Sequence, residues 1–125
     1  MLNALLLSTI EETGVAVLTL TEGLEQNEFL RSRLTRAETL RQLRVMGVSL
    51  ANVPLPTQSL LPEIDWLGWQ AVARQINERG AAHDEVLWFT VRSLVPATLS
   101  WLRFYRQNQP QVFDWTVRDA GWPAF

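Results

Sequence analysis

A single histidine, His83, is the only side chain of 125 whose ordinary titration falls near neutral pH. There is no cysteine, which removes disulfides, thiolate metal sites and thiol nucleophiles together. One histidine can ligate zinc only with carboxylates gathered from elsewhere in the fold. Carboxylates adjoin at Glu11-Glu12 and Asp84-Glu85. Neighbours on a helix point apart, so neither pair makes a shared acid–base site by itself. These acids read as a solvated face and a helix start. No glycine-rich phosphate loop, His-Glu-x-x-His string or nucleophile elbow occurs, and no cofactor is implied. All eleven basic residues are arginine, planar and bidentate toward carboxylate or phosphate. Five of them, Arg31, Arg33, Arg36, Arg41 and Arg44, fall in a stretch whose sole acid is Glu38. A pI near 5.4 nevertheless argues against strong nonspecific nucleic-acid affinity.

The elements that must position these groups read as helices throughout. Leu2, Leu6, Ile10, Thr13, Val17 and Leu20 recur at spacings of three and four, the apolar stripe of an amphipathic helix. Gly23 suits a left-handed cap at its end, and Asn27 to Arg31 gives one short turn. Thr35 and Glu38 form a capping-box pattern for the next helix, with Ala37, Leu40, Leu43, Gly47 and Leu50 on its buried side and Gly47 permitting close helix approach. Pro54, Pro56 and Pro62 predict a non-helical connection over residues 52–62. Asp65 caps a third helix to about Arg79. Asp84 opens a fourth, carrying Leu87, Val91, Leu94, Thr98, Leu102 and Tyr105 on one side, with a kink or interrupted hydrogen bond expected at Pro96. The expected fold class is a small all-α bundle.

The apolar runs fall short of the roughly 20 residues of a membrane span, and no signal peptide is evident, so a cytoplasmic location is expected. Residues 1–106 read as the helical domain and 107–125 as a tail. Its Phe113, Trp115, Trp122 and Phe125 are too many aromatics for a simply solvated segment, and should dock on the domain or on a partner.

Several strings, collinear over roughly residues 5–105, carry a family resemblance. They are Thr21-Glu22-Gly23-Leu24 with Glu28-Phe29-Leu30, Leu40-Arg41-Gln42-Leu43 with Met46-Gly47, Pro62-Glu63-Ile64-x-Trp66, and Trp88-x-Thr90-Val91. In these the chain resembles the HepT-like branch of the HEPN proteins, the ribonuclease-toxin partners of minimal nucleotidyltransferase antitoxins. The resemblance implies an up-and-down bundle of four main helices that dimerises through the third and fourth. It also implies metal-independent attack on single-stranded RNA by an Arg followed four to six residues later by a His, paired across the dimer. His can exchange the 2′-hydroxyl proton, and Arg can hold the scissile phosphate.

Arg74 falls at the motif arginine, but Arg79 stands where the family has its histidine. A guanidinium stays protonated and cannot act as a base. The tyrosine that many members carry two residues later, an adenylylation target, is Ala81 here, and the only tyrosine is Tyr105. His83 is spaced too far from Arg74 and too close to Arg79 to complete the motif, and it reads as a residue flanking the fourth helix. Arg74 could simply pair with Glu78, one turn on. The resemblance thus implies a toxin-side subunit with lost or weakened ribonuclease activity, binding a nucleotidyltransferase and RNA or nucleotide. Two rivals stay open. One is an active endoribonuclease using Arg74 or Arg79 with His83; the other is a non-catalytic interaction bundle. Trp66, Trp69, Trp88 and Trp101 could stack on bases, although their apolar neighbours favour packing or an interface.

Overall fold

The computed structural model describes residues 2–76 and 81–113. Among them every regular element is helical, and the chain forms an all-α bundle. In order these are α1 (Leu2–Thr21), α2 (Gln26–Arg31), α3 (Arg33–Ala51), α4 (Leu55–Leu60), α5 (Trp66–Gln75), α6 (Ala81–Phe89), a π turn (Thr90–Leu94) and α7 (Val95–Asn108). A 3₁₀ turn over Pro110–Phe113 follows.

Helix α1 packs along α3 on one side and α7 on another, and α5 packs on α3. Leu7, Ile10 and Val17 of α1 are fully buried. Gly14 lets α7 approach, because a Cβ there would stand 2.7 Å from a Leu99 methyl. Over residues 3–21 α1 is long and apolar enough, by length and composition, to cross a membrane, which the reading of apolar runs alone overlooked. Here Leu7, Ile10 and Val17 belong to the bundle core, and Glu11 pairs with Arg106 of α7. Gly23, at φ +76°, turns the chain out of α1 as its sequence predicts. Glu28 accepts the Glu25 N–H at 3.0 Å to start α2.

Helix α3 departs from expectation at its start. Ser32 both ends α2 and opens α3, its carbonyl accepting the Arg36 N–H at 2.8 Å. Glu38 makes no capping box, since its carboxylate is taken by Arg41 (2.8 Å from Nε) and Gln42 (2.9 Å). The buried stripe is Thr39, Leu43, Met46, Ser49 and Leu50. Ala37 is exposed and Gly47 only half-buried, so the stripe lies about one residue round from the predicted one. The reason is that Thr39 and Ser49, polar in sequence, occupy inward positions. A Cβ at Gly47 would meet nothing within 4 Å, so that glycine does not serve close approach.

The proline-rich connection contains a helix after all. Pro56 lies in the first turn of α4, where a missing N–H costs nothing, so it can begin a helix it could not continue. Helix α6 begins at Ala81, three residues before the expected Asp84. The predicted stripe from Leu87 to Tyr105 is buried at all six positions. The interruption expected at Pro96 takes the form of the π turn just before it. The Val95 N–H reaches back five residues to the Thr90 carbonyl. The wider turn accommodates a ring that would otherwise crowd the preceding carbonyls, and the rod continues to Asn108.

Candidate functional site

Helix α5 is fixed at its start and along its inner side. Asp65 accepts the Gly68 N–H at 2.8 Å, the cap its sequence predicts. Trp66 donates its indole N–H to the Leu61 carbonyl at 3.0 Å. Trp69 donates to Thr98 Oγ1 at 2.9 Å, tying α5 to α7. With Trp69, Val72 and Ile76 buried, helical geometry sends Gln70, Ala73 and Arg74 outward. Arg74 therefore lies exposed on the rim of a groove between α3 and α5.

That groove comprises two open depressions of about 250 Å³ each. Gly47, Ala51 and Ala73 border both, with Trp69 as a shared wall. Arg74, Gln58 and Trp66 border one depression, and Arg44 and Val48 the other. Arg36, Arg41 and Arg106 are each paired with a carboxylate, whereas neither Arg44 nor Arg74 has an ion-pair partner among the described residues. Two guanidiniums without an ion-pair partner among the described residues thus flank an apolar trough, a suitable setting for an anion carrying an apolar body. Sequence reasoning found Arg74 and named Arg44 only as part of an arginine-rich stretch, and it missed Gln58 and the trough. The spacing of Gly47 and Ala51, one turn apart on α3, was the available signal.

His83 sits elsewhere. Its Nε2 lies 3.1 Å from the Ile76 carbonyl, which only accepts, so this nitrogen carries the proton. Its Nδ1 stands 3.8 Å from the Asp84 carboxylate, which also pairs with Arg36 of α3. The imidazole, 15% exposed, thereby ties the end of α5 to the start of α6. No hydrogen bond or ion pair joins it to Arg74. Arg79 and Glu78 lie outside the described residues, as do Trp115, Trp122 and Phe125. No three His, Asp or Glu side chains gather to hold a metal ion among the described residues.

The tryptophans divide. Trp69 is buried, and Trp66 half-buried. Trp88 packs on Phe29 with centroids 5.5 Å apart, under the Arg92 guanidinium at 4.5 Å. Trp101 is the more exposed, at 37%, beside Phe104 at 48%. Glu38 is the one described carboxylate whose titration is clearly displaced. Hydrogen bonds from Arg41, then Gln42, hold it down at about 2.

No family model matches the chain, and no solved structure matches it significantly.

Proposed function

We propose that this chain is a HepT-like HEPN protein, the toxin-side subunit of a nucleotidyltransferase pair, with its ribonuclease activity lost or weakened. In this reading α1, α3, α5 and the α6–α7 rod are the four main helices of the family's bundle, and two copies associate through α5 and the rod. The partners are a minimal nucleotidyltransferase and single-stranded RNA or a nucleotide. One observation carries the loss of cleavage. Arg74, at the motif position, is exposed and ready to hold a phosphate, while the chain's single imidazole is bonded to the Ile76 carbonyl instead of to any group beside Arg74. A phosphate clamp without a proton acceptor binds better than it cuts.

The test is cleavage of single-stranded RNA by homogeneous protein in the presence of chelator, alongside titration with a minimal nucleotidyltransferase. The reading expects weak or no cleavage and a stable complex. Arg74→Ala is expected to fold normally and to lower any residual cleavage at least ~10-fold, the size of effect a lost phosphate contact has in such sites. Vigorous chelator-resistant cleavage that disappears in His83→Ala would replace this reading with the active-ribonuclease one.

A further inference from the structure

Charge, polarity and shape in the trough between α3 and α5 together define a small ligand. Trp66 and Trp69 both border it, but the Trp66 N–H is spent on the Leu61 carbonyl and the Trp69 N–H on Thr98. Gln58 likewise commits an amide N–H to the Val53 carbonyl at 3.0 Å. The indoles therefore meet the trough as apolar surface, and the charged donors on its border are Arg44 and Arg74. No carboxylate is among the described residues bordering either depression, and neither guanidinium has an ion-pair partner among them. Charged donors beside apolar walls favour an anion.

The two ends differ. Arg74 shares its depression with Gln58 and Gln70, whereas Leu43, Val48, Val72 and Ile76 wall the other, with Arg44 at its border. An occupant must then be amphipathic, with its head at Arg74. A single guanidinium borders that depression, so a second negative charge would stay unmatched beside apolar walls, at a cost in desolvation. A carboxylate satisfies this condition and a phosphate monoester does not.

Gly47, Ala51 and Ala73 border both depressions, and a Cβ at Gly47 would meet nothing within 4 Å. Against the Trp69 ring, these small residues leave a slot suited to a flat body. Helix α3 rises about 10 Å from Arg44 to Ala51, enough for a fused pair of rings and its head group. Joined along these residues, two depressions of about 250 Å³ each fall within the roughly 300–1,000 Å³ of small-molecule sites.

We propose that the α3–α5 trough is a binding site for a small aromatic carboxylate, its head on Arg74 beside Gln70 and its rings over Gly47 and Ala73 toward Val72 and Ile76. Arg44, at the far end, adds an attractive field. Binding of this kind goes beyond the HepT-like reading and does not rest on it.

The test is an NMR titration of the isotope-labelled full chain with 2-naphthoate. The amides of Gly47, Ala51 and Ala73 and the Trp69 indole N–H should shift together and saturate as one site. Naphthalene-2-carboxamide, the same body without the charge, should bind roughly tenfold or more weakly, and Arg74→Gln should weaken 2-naphthoate as much, the loss expected of a charge-assisted hydrogen bond. Arg44→Gln should weaken it less. Gly47→Leu, for which the structure has room, should fill the slot and abolish binding, while its spectrum without ligand certifies the fold. Shifts that do not saturate or lie outside the trough overturn the proposal. So do equal affinity for the amide, binding that survives Gly47→Leu, and an Arg44→Gln effect as large as that of Arg74→Gln. No RNA or nucleotidyltransferase enters the experiment, so its failure would leave the HepT-like reading standing.

Discussion

Helix α3 has two working sides, and they are built on opposite terms. Toward α1 it contributes to a continuous core in which Met46 is fully buried among Leu7, Ile10, Val17 and Leu43. Toward α5 it presents Arg44, Gly47, Val48 and Ala51, and Val48 is 61% exposed. Two glycines make the contrast concrete. Gly14 of α1 is where Leu99 of α7 comes within van der Waals distance, whereas Gly47 faces open space. The first glycine serves packing. The second leaves a space that packing did not need, and the lesson is that α3 is stabilised from one side and left receptive on the other.

The largest effect expected from this contrast is at Met46. Met46→Ala should cost about 2–5 kcal/mol, the range for truncating a buried core side chain, while Val48→Ala, two residues on and turned to the other side of the helix, should stay within about 0.5 kcal/mol. Chemical denaturation of the two variants measures both, and similar losses would erase the distinction. Next is Tyr105→Phe. The buried Tyr105 hydroxyl donates to the Glu63 carboxylate and accepts the Glu63 N–H at 3.0 Å, closing α7 onto the segment before α5. Its loss should cost about 1–2 kcal/mol, read from the same melts.

The glycines come third and should differ in sign. Gly47→Ala should raise stability by about 0.5–1 kcal/mol, because alanine in a helix restricts the unfolded chain and has room here. Gly14→Ala should lower it by about 1 kcal/mol, since displacing Leu99 outweighs the same gain. The smallest effect is Glu38, on the exposed part of α3. Its folded pKa is depressed to about 2 from an ordinary 4.5, so its stabilising contribution is present above about 4.5 and is lost as pH falls toward 2. Carboxyl titration by NMR should place its midpoint near 2, and Glu38→Gln should remove that part of the acid dependence.

Local rules made much of the fold legible. The spacing from Leu87 to Tyr105, the turn at Gly23 and the cap at Asp65 are statements about neighbours in sequence, and each survives in the structure. What escaped depends on competition between neighbours or on distant contacts. Glu38 looks like half of a capping box until Arg41 and Gln42 claim it. Thr39, polar in sequence, is fully buried. Pro56 reads as a breaker yet begins a helix. The site divides in the same way. Arg74 and His83 were visible as residues, but their separation follows from His83 reaching the Ile76 carbonyl. The trough needs α3 and α5, far apart in sequence, brought together, with Arg44 bordering one depression and Arg74 the other.

The π turn at Thr90–Leu94 has a bearing on the length of the rod. It houses one residue more than an α turn would, which advances the phase of everything after it by about 100°. Trimming a single residue there would give a shorter, more regular helix, yet would swing Thr98 away from Trp69, Tyr105 away from Glu63 and Arg106 away from Glu11. Residues 90–94 therefore act as the molecule's phase-setter, and a deletion that looks harmless in a sequence would be felt along three separate seams.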